Sequence, residues 1–416
     1  MKKILHSDLN NFYASVECLL NPQLRDFPVV VCGKVEERHG IVLAKNMIAK
    51  KMGVKTGMVL YQAQQLCPNL KCVEAHHCLY AKYSKAVKDI YREYTTRVES
   101  FGIDEAWLDV SSCKKHGGDA VKIAEEIRER VKQEIGLTVS IGVSFNKVFA
   151  KLASDMKKPD ATTVISQECY KQKVWPLPVE ELLYVGRATK KKLNELTIKT
   201  IGDLALFDKK ILKTKLGKWG EVLHDYANGK DGDIVHTHEE LSDIKSVGNS
   251  LTFYRDLKTD TEVEALLILL SESVCSRMLD YGYKMARTVH LTIMDNNLHS
   301  TIRMTKISPS NLAQDFADKA FELFKANFKW NNALVRGLGV AVSDFVEEEQ
   351  LCLDFDLDKK QKQKKLQDTV ETLRNRFGRN VINKAVVLTD GRMSHLNIKE
   401  DNTVKPGKES KAIFNE

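Results

Sequence analysis

The sequence predicts a multidomain α+β protein, and three observations carry that expectation. Residues 1–165 alternate short apolar strands with amphipathic helices. Residues 180–230 read as short helices alone. Beyond residue 246 strand patterns return, with two long helical stretches between them. The 416 residues are enough for about two to four domains, each with a buried core.

"KKILHSD" (2–8) reads as a buried strand that ends in a carboxylate, and "FPVVVC" (27–32) as a second strand. In "SDLNNFYASVE" the chain passes from strand into helix as the apolar spacing lengthens. Residues 119–135 place Ala120, Ile123, Ala124, Ile127, Val131 and Ile135 on one helical face, with Asp119 as N-cap and Gly136 as the stop. "TVSIGV" (138–143) is then a strand and "NKVFAKLASDM" (146–156) a helix. The polar loop "KKPDATT" closes this block. Residues 231–246 lack periodicity and read as a linker. Strands are expected at 285–294, 299–307 and 337–345, and helices at 261–279 and 312–328, which fits two helices on one face of a small antiparallel sheet. After residue 350 comes a charged tail that could form a helix on its own, and the last residues, about fifteen, are expected to be disordered.

A net charge of +8 and a pI near 8.8 favour a polyanionic partner without establishing one. The apolar runs are too short to span a bilayer, and the N-terminus lacks the pattern of a secretion signal. The nine cysteines are scattered, which suits reduced thiols in the cytoplasm. Cys67, Cys72 and Cys78 with His76 and His77 lack the paired spacing of a zinc site.

"GIDEAWLDV" (102–110) sets Asp104 and Glu105 side by side ahead of an apolar strand. Adjacent carboxylates repel, and most such pairs are solvated turns. Asp8 ends the first strand, however, and would meet both if the two strands are neighbours. Three hard oxygen donors suit Mg²⁺, and two such ions can activate a hydroxyl and stabilise a leaving phosphate oxygen. The helix start after Asp8 would attract phosphate. The rings of Phe12 and Tyr13 follow within a few residues, and lysines recur in 45–58 and at Lys157 and Lys158, where a triphosphate would need neutralising.

"HSDLNNFYASVE", "AKNMIAKKMGVKTG", "GIDEAWLD" and "SIGVSFNKVFAKLASDMKKP" resemble, in order and spacing, the motifs of Y-family translesion DNA polymerases, and within them the DNA polymerase IV branch. The likeness extends over roughly residues 1–350. It implies a right-hand polymerase with a ferredoxin-like palm, small fingers, a helical thumb and a separate α/β little finger. The implied bounds are 1–18 and 76–165 for the palm, 19–75 for the fingers and 166–235 for the thumb. A linker at 236–245, the little finger at 246–346 and a tail at 347–416 would follow.

The same resemblance implies that Asp8, Asp104 and Glu105 hold two Mg²⁺ ions, with the backbone carbonyl of Leu9. It makes Tyr13 the steric gate against a ribose 2′-OH, with Phe12 under the incoming sugar and Asn11 beside it. Lys158 would contact the triphosphate. The fingers motif usually offers a tyrosine and an arginine here, but this chain has Met47 and Lys50, which puts nucleotide affinity in question. Gly102 stands where serine is usual, with no chemical consequence expected.

"YVGRATKKKLNELTIKTIGDLA" (184–205) resembles a helix-hairpin-helix that grips the DNA backbone, through Gly186, Arg187 and Thr189. Tyr184 and Thr197 stand where glycine is more frequent, so the hairpin turn is expected to differ in shape. "EEQLCLDF" resembles the peptide that docks on a sliding clamp, with Gln350, Leu351, Leu353 and Phe355 as anchors.

Residues 246–345 hold eleven basic and eleven acidic side chains. Lys284, Arg287, Arg303, Lys306 and Arg336 fall in or beside strands, and the acids of the helices include Asp260, Glu262, Asp315 and Asp318. Thr301, Arg303 and Thr305 alternate with Ile302 and Met304, so a polar, basic sheet face that tracks the DNA backbone is expected.

The expectation is a cytoplasmic, monomeric enzyme that adds dNTPs to a primer 3′-OH on template DNA, at low fidelity and without proofreading. A catalytically silent DNA- and clamp-binding paralogue is the first alternative, and a two-metal nuclease the second.

Overall fold

Every residue of "ILHSDL" is buried, and it forms strand β1 (Ile4–Leu9) at the centre of a sheet covered on both faces. The computed structural model describes residues 2–33, 40–237, 240, 244–331, 333–347, 357–378 and 381–393. They fall into two compact units, one mainly of residues 1–32 and 41–241, the other mainly of 242–403.

In the first unit β1 passes into helix α1 (Phe12–Leu20) through Asn11, whose φ of 51° lies in the left-handed region that asparagine tolerates. Strands β2 (Val29–Cys32) and β3 (Val42–Lys45), helices α2 (Met47–Lys51) and α3 (Leu60–Leu66), and strand β4 (Lys71–Glu74) follow. They make a three-stranded sheet in the order β3-β2-β4 with its own small core. Asn46 starts α2, accepting from the Ala49 N–H at 3.0 Å.

The chain returns as helix α4 (His77–Arg92) and strands β5 (Val98–Ser100) and β6 (Glu105–Asp109). Helix α5 (Ala120–Arg130), strand β7 (Val139–Ser144), helix α6 (Lys147–Met156) and strand β8 (Thr162–Ile165) complete the layer. Asp119 caps α5 as expected, the helix continues through a π turn at Val131–Ile135, and Gly136 stops it at a φ of 80°. The sheet order is β5-β6-β1-β7-β8. Leu5 and Leu9 of β1 pack in the core that α4 and α5 cover, while His6 faces α6. Gly142 of β7 permits that approach, since a Cβ there would stand 1.9 Å from the Ala150 carbonyl oxygen.

Helices α7 (Tyr170–Val174), α8 (Arg187–Glu195), α9 (Ile201–Leu206), α10 (Lys209–Leu216) and α11 (Lys218–Ala227) share a core with Phe149 and Leu152 of α6. Tyr184 and Thr197, which flank α8, take φ values of 71° and 62°. The hairpin thus keeps a left-handed backbone, the region that favours glycine, with two L-residues in it.

The second unit has four strands where three were expected. β9 (Ser246–Leu257) is the addition, and its "SVGNS" start gives little apolar signal. It pairs with β12 (Val335–Val346), which pairs with β10 (Met285–Asp295), and β11 (Ser300–Ser310) lies outermost. Helices α12 (Asp260–Asp280) and α13 (Ala313–Asn327) cover one face.

The tail is not a helix on its own. Helix α14 (Leu357–Phe377) docks on α12, with Arg374 paired to Glu272 at 2.9 Å and Glu371 accepting from the Ser276 hydroxyl at 2.9 Å. Val387 and Met393 enter the core, and Asp390 pairs with Arg255 at 2.8 Å. This explains why α12 is apolar around most of its girth: sheet, α13 and tail each take a side. No described helix is long and apolar enough to cross a membrane.

Candidate active site

Sheet register brings two of the acids together. Asp8 of β1 lies directly opposite Glu105 of β6, so both side chains leave the same face. Asp104 sits in the turn just before β6, and its carbonyl accepts the Leu9 N–H at 3.0 Å. The three carboxylates foreseen in the sequence therefore converge at one end of the five-stranded sheet.

Their surroundings are only partly open to water. Asp8 is 7 % exposed. Burial raises the Asp104 carboxyl above its ordinary pKa, and the Asp8 charge adds to it. Glu105 is pushed up to about 7, chiefly by burial and also by Asp8, against the lowering charge of Lys151. Helix α6 and the loop after it supply cations: Lys151 Nζ lies 2.7 Å from Glu105 Oε1, and Lys158 Nζ lies 2.7 Å from Asp8 Oδ2. Lys158 also pairs with Asp155 at 2.8 Å.

His6 lies behind this cluster and is fully buried. Its Nδ1 meets the Ser154 hydroxyl at 2.8 Å, and its Nε2 points toward Glu105 Oε2 at 3.7 Å without a hydrogen bond. Burial, then Lys151 and Lys158, hold its pKa well below the usual histidine value. A neutral imidazole on one side and a lysine on the other thus confine Glu105. The sequence reading missed both His6 and Lys151. The spacing of Lys151 and Ser154 along one face of α6 was the available signal.

The donor set fits a divalent cation. Carboxylates held above their ordinary pKa by burial and by a neighbouring charge, as Asp104 and Glu105 are, are stabilised by an added positive charge. Among the described residues no three His, Cys, Asp or Glu side chains already surround a single point as ligands. Asp8 and Glu105 are turned instead to the two lysines.

Beside the acids stands an aromatic wall. The half-buried Tyr13 ring stacks on Tyr80 at 4.1 Å and 13°. Phe12 lies 5.5 Å from Tyr13 and is buried, while His77 meets the Tyr13 ring edge-on at 5.9 Å. Tyr80 donates to Glu17 Oε1 at 2.5 Å, and His76 Nδ1 lies 2.9 Å from the same oxygen. The Tyr13 phenol is pushed up to about 12 by burial and then by Asp104. Asn11 begins α1 without a side-chain cap.

Met47 is half-buried and Lys50 exposed on α2. Lys45, on β3, belongs to the lysine-rich stretch singled out in the sequence, and its pKa is lowered by burial and by the Lys50 charge.

The remaining predicted residues lie elsewhere. Gly186 and Arg187 are exposed at the start of α8, with Thr189 half-buried. In the four-stranded sheet the five basic residues do not share a face. Leu291, buried under the helices, lies opposite Arg303, and Arg303 Nε donates to Asn327 of α13 at 2.9 Å. Thr301 and Thr305 oppose Ile293 and Val289 and so share that side. Ile302, Met304 and Lys306 are exposed on the other face. That is the reverse of the polar face the alternation suggested, because the helix layer overlies the β10 residues that pair with Thr301, Arg303 and Thr305. Lys284 is exposed and lies 3.4 Å from Glu347, and Arg287 and Arg336 are half-buried. Gln350, Leu351, Leu353 and Phe355 lie outside the described residues.

Such a fold, with its acidic sheet end, defines a right-hand nucleotide polymerase, and comparison with known proteins agrees. Models of the impB/mucB/samB family match residues 7–155, and the family's C-terminal domain matches 244–355. A DNA polymerase-iota thumb domain matches 181–231. DNA polymerase IV of Acetivibrio thermocellus is 51% identical over 391 residues, covering 93% of this chain and 98% of its own length. DNA polymerase IV 1 of Bacillus subtilis is 38% identical over 390 residues, covering 92% and 93%. A solved Y-family DNA polymerase chimera, 24% identical, superposes with a TM-score of 0.73 over 83% of this chain and 100% of its own, which shows the shared fold. The chain belongs to the impB/mucB/samB family, the Y-family DNA polymerases. Its fold is accordingly that of a right-hand polymerase, with a ferredoxin-like palm, small fingers, a helical thumb and a separate little finger.

Proposed function

We propose that the residues gathered at the palm edge catalyse template-directed addition of dNTPs to a primer 3′-OH, with release of pyrophosphate. The chain is a DNA-directed DNA polymerase of the translesion kind, and membership of this family implies use of a divalent metal. The observation that carries the site assignment is the cross-strand Asp8–Glu105 pair with the partly buried Asp104 beside it.

In this reading Asp8, Asp104 and Glu105, with the Leu9 carbonyl, hold two Mg²⁺ ions. The metal would supply Lewis-acid activation of the 3′-OH and charge stabilisation on the leaving phosphate. The chain's own residues do the rest. Lys158, with Lys50 and Lys45 from the fingers, neutralises the triphosphate as point charges. Met47 fills space without a hydrogen bond. Tyr13, held flat against Tyr80, occupies the volume a 2′-OH would need, with Phe12 below the sugar and Asn11 at the helix start.

Primer–template DNA would be gripped at the start of α8, by Gly186, Arg187 and Thr189, and along the little finger by Lys284, Arg287, Lys306 and Arg336, while Arg303, hydrogen-bonded to Asn327, would stand outside the grip. The stretch with Gln350, Leu351, Leu353 and Phe355 would dock on a sliding clamp. The domain bounds follow the divisions given from the sequence. A cytoplasmic monomer of low fidelity, without a proofreading step, completes the reading.

Primer extension tests it. Purified protein with primer–template, dNTPs and Mg²⁺ is expected to extend the primer, and with dNTPs omitted to leave labelled DNA intact. Binding without incorporation would favour the silent paralogue, and strand loss without dNTPs the nuclease.

A further inference from the structure

Helix α4 lies behind the acidic turn and offers one stripe of side chains to it. Tyr80, Ser84, Lys88 and Tyr91 follow at helical spacing and are all buried. Tyr80 stacks on Tyr13, and the Tyr91 hydroxyl meets the Ser7 hydroxyl at 2.7 Å, next to Asp8. Between them Ser84 and Lys88 reach the turn itself. The Ser84 hydroxyl donates to the Ile103 carbonyl, and Lys88 Nζ donates to the Gly102 carbonyl at 3.1 Å.

The Leu9 N–H takes the Asp104 carbonyl. Three successive carbonyls, those of Gly102, Ile103 and Asp104, are therefore each fixed by a donor from outside the turn, two from α4 and one from β1. A turn whose peptide planes are fixed in this way presents the side chains of Asp104 and Glu105 in one orientation. A lysine ammonium is costly to bury and is retained only where its donors are used. Lys88 is 7 % exposed. Gly102 belongs to the same arrangement, because a Cβ there would stand 3.2 Å from Asp104 Oδ1. Glycine at this position, which the sequence alone gave no reason to weigh, leaves room for that carboxylate in the orientation it holds.

We infer that Ser84 and Lys88 are positioning residues for the metal-binding turn, preorganising Asp104 and Glu105 through the carbonyls of Ile103 and Gly102. The inference rests on the reading of those acids as metal ligands. Groups that orient ligands from behind matter nearly as much as the ligands themselves.

The test is a Mn²⁺ titration, followed by electron paramagnetic resonance of the free ion. The protein is bound to a dideoxy-terminated primer–template and the matching dNTP, so no turnover occurs. Lys88→Met is expected to raise the half-saturating Mn²⁺ by about 10-fold, Ser84→Ala to raise it less, and Lys88→Arg to restore most of the loss. In parallel extension assays Lys88→Met should lower kcat while KM for dNTP stays within about two-fold, since the helix does not touch the nucleotide in this reading. Ser84→Ala, a small deletion, keeps the test available if Lys88→Met does not fold. Asp104→Asn separates the two levels of inference. If it loses Mn²⁺ binding while Lys88→Met and Ser84→Ala titrate as wild type, the positioning role is overturned and the acids stand. If Asp104→Asn binds Mn²⁺ normally, the acid assignment falls and the positioning role with it.

Discussion

The palm edge and the little-finger sheet, the two surfaces proposed to meet nucleic acid, are built in opposite ways. At the palm edge the acids meet partners brought from distant segments by tertiary structure. Asp8 and Glu105 are cross-strand neighbours, two lysines come from α6 and the loop beyond it, and His6 closes the back. The open face of the four-stranded sheet is smooth by contrast. Gly337, Gly339 and Ala341 of β12 lie on it between Thr292 and His290 of β10 and Thr252, Ser250 and Gly248 of β9. Charges on the first surface are buried and specific. Those on the second are few and exposed. Chemistry needs groups held in place against repulsion, whereas a backbone grip needs only access and some positive potential.

This contrast can be broken most sharply at the palm. Asp104→Asn should cut the extension rate by roughly 10³-fold, worth several kcal/mol of transition-state stabilisation, with primer–template affinity little changed. Single-turnover extension and anisotropy binding check both halves. A residual rate near wild type would place the chemistry elsewhere.

Tyr13→Ala should next raise relative rNTP incorporation by roughly 10- to 100-fold, the range expected when a steric filter is removed. The ratio of kcat/KM for matched rNTP and dNTP measures it, and an unchanged ratio removes the gate assignment.

A smaller effect concerns pH. The Glu105 pKa, raised to about 7 in the metal-free fold, lies above the ordinary value. The folded state then holds a proton that the unfolded state releases, so stability falls as pH rises from about 4.5 to 7. Glu105→Gln should therefore stabilise the metal-free protein by about 1 kcal/mol at pH 8 and leave it unchanged near pH 4. Thermal unfolding at both pH values decides it, and equal effects at both would point to packing in place of charge.

The smallest difference lies in the little finger. Lys306→Ala should weaken primer–template binding a few-fold and reduce the salt slope by about one, while Arg303→Ala should leave both nearly unchanged. Equal losses would mean that Arg303 leaves Asn327 to reach DNA.

Much of the palm was legible in the sequence. Asp8, Asp104, Glu105 and Tyr13 could be named because they lie in short contiguous motifs, and Asp119 and Gly136 because capping is local chemistry. Lys151 and His6 escaped notice, since a histidine in an apolar strand and a lysine on a helix gain meaning only when α6 is laid across β1. In the little finger the alternation along β11 was read correctly as two faces, but which face is covered is not a local property. The tail shows the same limit: a charged stretch of weak amphipathicity looks independent until α12 supplies the surface it covers.

By itself the sequence determined much of the order of elements, the cap and stop of α5 and the choice of candidate acids, because these follow from residue type and spacing within a few positions. Tertiary structure alone decided that Asp8 faces Glu105, that Lys88 reaches Gly102 and that Arg303 turns toward α13. Each of these depends on register and on packing between segments distant in the chain, and the free energy that fixes them comes from burial shared across the whole sheet.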